Sequence, residues 1–157
     1  MKKNKVTIIL SVVLLILIII IVSLMINIKN KSTFKKPDYD KNAIETIPTS
    51  LDYQSKIINV TDNYSLYVEP SPTIKDNDLI INLISLETNN ILIKVRVLNN
   101  DKVVAETGLI KPGQYLKNVK LNKKINVDDE IIYVIMGYEP DTYLSAGSIK
   151  LNTRIGG

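Results

Sequence analysis

The chain has neither cysteine nor histidine among its 157 residues. Without cysteine, a small domain has no disulfides and depends on its apolar core alone, and thiol nucleophiles and thiolate metal sites are excluded. Without histidine, the chain lacks the commonest general base, the commonest metal ligand and the usual switch near neutral pH. Gly-rich phosphate loops, nucleophile elbows and metal-binding motifs are also absent from the sequence. These absences favour a non-enzymatic protein with no cofactor and no bound metal.

The net charge of +4 comes from lysines near the N-terminus. Seven of them flank a hydrophobic run: Lys2, Lys3, Lys5, Lys29, Lys31, Lys35 and Lys36. From Pro37 onward, 13 basic residues stand against 16 acidic ones, a balance of −3. A segment without basic excess is poorly suited to neutralise phosphates, so no nucleic-acid partner is expected.

The hydrophobic run extends from Val6 to Ile28 and contains 23 uncharged residues. As a helix rising about 1.5 Å per residue, it would measure about 34 Å and cross a hydrocarbon core of about 30 Å. Its many β-branched residues would favour a strand in water, but backbone groups in lipid must bond within their own segment. We therefore predict a transmembrane helix over residues 6–28, with the lipid bilayer as its partner.

A cleaved signal peptide is the alternative interpretation of this run. Signal peptides have an apolar region of about 7–15 residues, followed by a small-residue site of the Ala-x-Ala kind. Here the run is longer, and the first alanine of the chain is Ala43. The sequence therefore favours an uncleaved signal anchor.

The flanking charges leave the orientation of the anchor nearly balanced. Three lysines precede the run and four follow it within a few residues, whereas the cytoplasmic flank normally carries the excess. The head, residues 1–5, is too short to be a domain, and the rest of the chain has the texture of a translocated β domain. We therefore predict a single-pass protein of the cell membrane with a cytoplasmic N-terminus and an extracytoplasmic C-terminal domain.

Residues 29–55 are predicted to be a tether between anchor and domain. Lysines, polar residues, Pro37 and Pro48 interrupt this segment, and it has no sustained periodicity. Ala43, Ile44 and Ile47 can pack locally. The remaining residues, 56–157, suffice for one domain with one core.

Short runs rich in Ile, Val, Leu and Tyr, separated by Asn, Asp, Pro and Gly, predict an all-β domain. Within Ile91–Leu98, isoleucine or valine occupies every second position, which is typical of a half-buried strand. Glu130–Tyr138 is apolar on both faces, which indicates a central strand covered on both sides. The predicted strands are Tyr64–Val68, Leu79–Leu86, Ile91–Leu98, Lys102–Glu106, Tyr115–Leu121, Glu130–Tyr138 and Ser145–Thr153.

Two turn signals support this division into strands. Asn99–Asp101 predicts a tight hairpin because Asn and Asp tolerate positive φ. In Lys111–Gln114, proline presets the second position and glycine supplies the positive φ of a type II turn. The pattern predicts an immunoglobulin-like or fibronectin-III-like antiparallel β-sandwich of about seven strands. The Cys-Trp-Cys signature is absent, as in many sandwiches, and a small barrel is the alternative.

Two segments, Glu106–Gly113 and Tyr138–Thr153, carry a family resemblance. Together with the basic head, the Ile/Leu-rich anchor and the stretch Pro37–Ala43, they resemble a group of small membrane-anchored extracytoplasmic proteins of unknown function from low-GC Gram-positive bacteria. The abundance of Lys, Ile and Asn is similar to such proteomes. The resemblance implies a source and a location, and it carries no catalytic residue to this chain.

The densest acidic cluster is Asp128–Glu130. Adjacent carboxylates can bind a cation or contribute to a carboxylate pair for glycoside hydrolysis. In a turn that enters a strand, however, they are more often simply solvated. No second cluster with ligand spacing accompanies them, so no catalytic or metal-binding residue is assigned.

Apolar and aromatic residues in the predicted loops suggest a partner-contact surface. Successive loops of an antiparallel sandwich alternate between two poles, which brings Glu87–Asn90, Thr107–Gln114 and Glu139–Leu144 together. The candidate contact residues are Leu109, Ile110, Pro112, Pro140, Tyr143 and Leu144. Clustered apolar groups on a rigid scaffold favour such a surface. The alternative is that Leu109, Ile110 and Leu144 cap the core beneath the loops.

The sequence thus predicts a membrane-tethered extracytoplasmic binding or assembly module without catalytic activity, whose partner is a protein or another cell-surface component. One alternative is a cell-wall or glycan-acting enzyme that uses carboxylates. Another is an accessory subunit of a membrane machine, contacted through the anchor helix itself.

Overall fold

The computed structural model describes residues 2–29, 36–60 and 64–157, with the side chains of the N-terminal helix described from Thr7 to Ser23. The chain divides into two compact units, Met1–Lys35 and Lys36–Gly157, and the second is called the β unit below. Met1 and the tether residues 30–35 lie outside the described residues. Of the predicted head, only the backbone of residues 2–5 is described.

Helix α1 spans Lys2–Lys29 and is apolar on all sides of its central part. Every large aliphatic side chain between Ile8 and Val22 is 48–71% exposed. The Ser11 hydroxyl donates to the Thr7 carbonyl oxygen at 2.9 Å and is thus satisfied within the helix. Among the residues whose side chains are described, no helix has both the length and the apolarity needed to cross a membrane.

Within the described residues, the β unit contains nine strands, preceded by a 3-10 turn at Gln54–Lys56. The strands are β1 (Ile58–Val60), β2 (Tyr64–Tyr67), β3 (Thr73–Lys75), β4 (Asp78–Ser85), β5 (Leu92–Asn99), β6 (Lys102–Glu106), β7 (Tyr115–Lys120), β8 (Glu130–Tyr138) and β9 (Ser145–Arg154). The seven predicted strands are confirmed, with ends within one residue of those expected. The short strands β1 and β3 were not predicted.

Sheet one joins β1, β2, β3, β4 and β7 in antiparallel pairs. The strands β2 and β3 pair with opposite ends of one side of β4, and β7 pairs with its other side. Pro70 and Pro72 separate β2 from β3, because proline has no backbone N–H to donate to a neighbouring strand. A bulge shifts the β4–β7 register between Ile80 and Leu83, where Asn82 has a φ of 39°.

Sheet two has the antiparallel order β6–β5–β8–β9, so β8 is central as predicted. On the outer face of β8, Val134 and Met136 are half-buried. They stand in register with Arg96 and Lys94 of β5. The charged ends of both basic residues pair with the Glu106 carboxylate of β6, Arg96 through its Nε at 2.6 Å.

The inner faces of the two sheets enclose one hydrophobic core. Its buried members include Leu66, Leu79, Ile81, Leu83 and Leu116 from sheet one, and Ile93, Val95, Val97, Tyr133 and Ile135 from sheet two. The alternation predicted for Ile91–Leu98 is therefore confirmed, since Ile93, Val95 and Val97 all enter the core. The fold is mainly β and consists of two antiparallel sheets rather than one closed barrel.

Both predicted turns have the expected backbone. Asn100 and Asp101 have φ of 49° and 60°, the two positive values of a type I′ hairpin turn. Gly113 has a φ of 78°, and the Gln114 N–H donates to the Lys111 carbonyl oxygen at 3.2 Å. These values fit the predicted type II turn.

Residues 36–53 are the first part of the β unit and are named the strap here; they lie against the rest of that unit. The Asp40 N–H donates to the Leu109 carbonyl oxygen at 2.9 Å. Farther along, Ile44 and Tyr115 exchange two backbone hydrogen bonds of 2.8 and 2.9 Å. The strap therefore pairs with the β unit at isolated residues, without forming a regular strand.

The close approach of the strap depends on Gly108. A Cβ atom at this position would lie 2.4 Å from the backbone nitrogen of Asp40, far inside van der Waals contact. The Gly108 N–H also donates to the Asp40 carboxylate at 2.9 Å. The compact unit begins at Lys36 and so includes residues 36–55, which the sequence analysis assigned to the tether.

The strap covers the outer face of sheet one. The buried residues Tyr67, Ile84 and Tyr115 pack there against Ile47, Leu51 and Tyr53 of the strap. The Tyr67 hydroxyl donates to the Glu69 carboxylate at 3.0 Å, and the Tyr115 hydroxyl donates to the side-chain oxygen of Asn82 at 2.7 Å. Burial, assisted by Glu69, raises the pKa of Tyr67 to about 12.

Replacing Gly108 by alanine should destabilise the β unit by about 1–3 kcal/mol, because the added methyl group clashes with the strap backbone. Urea unfolding of residues 36–157 measures the change. The control is Gly157→Ala, where the added Cβ meets only Val127, at 3.5 Å. Equal stability of the two variants would contradict the packing described for the strap.

The free energy of unfolding should fall as the pH rises from 10 to 12. Tyr67 stays protonated in the folded state up to a pKa of about 12, whereas it ionises near pH 10 in the unfolded chain. Its contribution is therefore complete below pH 10 and is lost on passing through pH 12, with a slope of at most about 1.4 kcal/mol per pH unit. Tyr67→Phe should reduce this slope in chemical unfolding without removing it, because burial also raises the pKa of Tyr64 to about 12. An unchanged slope would refute the assignment to Tyr67.

Candidate functional site

Three loops and the start of the strap meet at one end of the β unit. The loops are residues 86–91 between β4 and β5, 107–114 between β6 and β7, and 139–144 between β8 and β9. Gly113 lies against Glu87, since a Cβ built on it would be 3.9 Å from the Glu87 side chain. We name this end the entry pole, because the chain enters the β unit here.

Two lysines and two tyrosines form the centre of the entry pole. The Lys36 ammonium lies 5.0 Å from the ring centre of Tyr143 and 5.8 Å from that of Tyr39. The Lys111 ammonium lies 5.0 Å from the ring centre of Tyr39. At these distances the ring quadrupole attracts the cation, by about 0.5–1 kcal/mol at an exposed site. The cluster links the start of the strap to two loops.

The surroundings of Lys36 and Tyr39 shift the pKa values of these two residues upward. A hydrogen bond with the Tyr143 hydroxyl raises the pKa of Lys36, because it favours the charged ammonium. Burial raises the pKa of Tyr39, and Tyr143 and Asp141 add to this effect. The cluster therefore offers positive charge and phenolic hydroxyl groups, and it does not offer a general base.

The loop between β8 and β9 is held in a tight conformation. The Tyr143 N–H donates to the Glu139 carbonyl oxygen and the Glu139 N–H donates to that of Leu144, both at 3.0 Å. Tyr143 has a φ of 57°, an uncommon value for a bulky residue. The loop thereby presents the Leu144 side chain, which is 63% exposed.

Two of the six predicted contact residues, Leu109 and Ile110, are fully buried. The backbone of Leu109 pairs with Asp38 and Asp40 of the strap, both at 2.9 Å, and Ile110 exchanges two backbone hydrogen bonds with Ile93 of β5, at 2.8 and 2.9 Å. The structure therefore assigns both to the core cap, the alternative stated for them, and removes them from the surface.

The other four predicted residues remain at the surface of the entry pole. Pro140 and Leu144 are exposed, while Pro112 and Tyr143 are half-buried. The core-cap alternative therefore does not describe Leu144. Pro112 follows Lys111 in the same turn. It therefore lies close to the cluster that Lys111 forms with Lys36, Tyr39 and Tyr143.

Sequence reasoning missed Lys36, Tyr39 and Lys111. The first two fell within the predicted tether, and Lys111 was considered only as part of a turn. The one available signal was the stretch Pro37–Ala43, which contributes to the family resemblance although it has no strand or helix period. An irregular segment of this kind has no sequence pattern that predicts where it packs against the rest of the protein.

The acidic cluster Asp128–Glu130 is occupied by local contacts. The Asp129 carboxylate accepts from the Asn126 N–H at 2.9 Å, and Glu130 pairs with Arg154 at 3.1 Å. Asp128 has a φ of 69° and forms part of the turn. In the part of the chain that the structure describes, no group of three or more acidic side chains is placed so that it could hold a metal ion.

No protein-family model, curated protein or solved structure matches this chain. A functional argument for the chain therefore depends on its own residues. The entry pole and the helix α1 are the two features that carry such an argument.

The same substitution at two leucines should separate core from surface at the entry pole. Leu109→Ala should cost about 2–5 kcal/mol, because it leaves a cavity beneath the strap. Leu144→Ala should change the free energy of unfolding by no more than about 0.5 kcal/mol. Urea unfolding measures both variants, and a large loss with Leu144→Ala would contradict its placement at the surface.

Proposed function

We propose that the chain is a single-pass membrane protein whose β unit lies outside the cytoplasm and acts as a non-catalytic binding or assembly module. The helix α1 is the anchor in this proposal. The entry pole is the binding surface.

The observation that carries the proposal is the apolar surface of α1. A helix that is hydrophobic all round is stable only when something apolar surrounds it, as in a large core or a bilayer. The aliphatic side chains from Ile8 to Val22 are all exposed, which supports a bilayer as their surroundings. The proposal counts the whole uncharged run Val6–Ile28, six residues longer than the stretch Thr7–Ser23.

The strand order supports an immunoglobulin or fibronectin-III type of sandwich. The strand β6 follows β5 in the chain and pairs with it in sheet two. In sandwiches of this type, strand C′ takes the same position beside strand C. The interrupted pair β2 and β3 stands in the position of the first strand, beside β4. Loops of such sandwiches cluster at two ends, and binding residues are often found there.

A binding function also agrees with the chemistry of the entry pole. Its ammonium groups, phenols, prolines and exposed leucine can hold a partner, and none of them is arranged as a nucleophile with a base. The carboxylates that a glycan-acting enzyme would use are bound in local contacts, as Glu130 is to Arg154. A glycan hydrolysis assay on the purified chain discriminates this alternative, since it should show no turnover.

Lysine at three central positions of α1 should release the chain from membranes. Each charged residue near the centre of a bilayer helix costs about 3 kcal/mol, so Leu14→Lys, Leu17→Lys and Ile21→Lys together should abolish insertion. Carbonate extraction of membrane fractions measures the loss. Val127→Lys, an exposed site in the β unit, is the matched control and should remain membrane-bound.

Cells that produce the wild-type chain test the orientation of the anchor in the membrane. Protease added to intact, wall-stripped cells should digest the β unit of the wild-type chain. Protection of the β unit, or carbonate-resistant membrane binding of the triple lysine variant, would overturn the proposed function.

A further inference from the structure

The strands at the edges of the two sheets differ in how much backbone they leave open. An edge strand presents a row of unpaired N–H and C=O groups, and proteins usually keep such strands short, bulged or covered. In sheet one, β1 and β3 have three residues each, and Ile44 of the strap pairs with Tyr115 at the start of β7. In sheet two, β6 has five residues and a bulge opposite Val97 and Leu98. Among the edge strands of the described residues, β9 is the exception, with ten residues.

The open part of β9 is its middle, Ser148–Asn152. Before it, the Tyr64 hydroxyl donates to the Gly147 carbonyl oxygen at 3.2 Å, and after it, the Thr153 hydroxyl donates to the Pro70 carbonyl oxygen. Between these contacts, β9 pairs with β8 alone within the described ranges. Successive residues of a strand direct their backbone groups to opposite sides, so a row of free N–H and C=O groups lines the outer side of this stretch.

The core is also open beside this stretch. Ile149 and Leu151 point inward, in register with the buried residues Ile135 and Tyr133 of β8, and pack against the same core. They are nevertheless only half-buried, because no strand follows β9 in the sheet order. A strand added beside β9 would cover Ile149 and Leu151 with aliphatic side chains of its own.

The outer face of the stretch carries an unmatched positive charge. The strands of sheet two contain two acidic residues, and both are paired, Glu106 with Arg96 and Glu130 with Arg154. Against them stand five basic residues: Lys94, Arg96, Lys102, Lys150 and Arg154. Lys150, at the centre of the stretch, is exposed and forms no ion pair in the part of the chain that the structure describes.

The carboxylates of the adjoining loops lie at the two ends of β9. The backbone of Glu139 bonds to Leu144, before the first residue of β9, and that of Asp129 bonds to Ile155, after the last. Neither is beside the middle of the strand. A carboxylate in an added strand, directly opposite Lys150, would therefore form a favourable cross-strand pair.

We propose that Ser148–Asn152 binds an extended segment of a partner protein by β-strand addition, with an acidic residue of that segment opposite Lys150 and aliphatic residues beside Ile149 and Leu151. Backbone hydrogen bonds supply the affinity, and the alternation of aliphatic and acidic side chains supplies the specificity. A second copy of β9 is a poorer occupant, because β9 contains no acidic residue to place opposite Lys150. The inference goes beyond the proposed function: the surface lies outside the entry pole and does not require α1 to be in a membrane.

Synthetic peptides test the edge directly. The full-length chain in detergent micelles is titrated with a blocked peptide of alternating valine and glutamate. One control peptide has lysine in place of glutamate, and another has every backbone nitrogen methylated, so that it cannot donate hydrogen bonds. Amide hydrogen exchange, followed by mass spectrometry, locates the contact, because an added strand slows exchange of the amides it pairs with.

Strand addition predicts slower exchange within Ser148–Asn152 when the valine–glutamate peptide is bound, and no change with the methylated peptide. Lys150→Glu should weaken binding of this peptide roughly fivefold and strengthen binding of the valine–lysine peptide, since it reverses the cross-strand pair. Lys117→Glu, at an exposed lysine of β7, is the matched control and should bind as the wild type does.

Three outcomes would overturn the proposal. The first is unchanged exchange of the β9 amides at the highest peptide concentration. The second is equal affinity of the wild-type chain for the two charged peptides. The third is protection of the same amides without peptide, together with concentration-dependent dimerisation, which would assign the edge to a second copy of the chain.

Discussion

The β unit depends on the burial of alternating aliphatic faces between two sheets, because no disulfide is available to replace them. On β4, β5 and β8 every second side chain enters one core. A slip of one residue in any of these strands would turn that whole set toward solvent, so the register is strongly specified. The rest of the structure follows from this register. It sets where the loops emerge, how the outer face of sheet one is presented to the strap, and which side chains gather at the entry pole.

The periodic part of the fold could be predicted from sequence, and the irregular part could not. The alternation in Ile91–Leu98 and the turn chemistry at Lys111–Gln114 each specify a local conformation, and both are confirmed. The three-residue strands β1 and β3 carry too short a pattern to stand out. The strap binds through isolated backbone hydrogen bonds, and it approaches closely because Gly108 has no Cβ. Neither feature produces a periodic pattern in the sequence. The apolar outer face of β8 suggested a second covering layer, whereas Val134 and Met136 are only half-buried there and stand in register with Arg96 and Lys94.

The residues of the candidate site also divide into those that the sequence could indicate and those that it could not. Tyr143 and Leu144 could be selected because apolar residues in a loop are unusual, and they remain at the surface. Leu109 looked equivalent in sequence, but it is fully buried, and its backbone pairs with the strap. Lys36 and Tyr39 join the site only through that pairing. The composition of the entry pole is therefore a tertiary property: it arises where a segment distant in sequence is folded back onto two loops.

The strap also determines how the β unit responds to mechanical load. A pull on the chain upstream of Lys36 reaches the two sheets only through the strap, whose isolated backbone bonds, at Asp40 and then at Ile44, are loaded one after another instead of together. Peeling away its 18 residues would release a segment whose extended length is about 60 Å before any strand of the core bears tension. The rings of Tyr67 and Tyr115 would then be uncovered while the two sheets stay intact. The strap thus acts as an extensible link in series with a stiff domain.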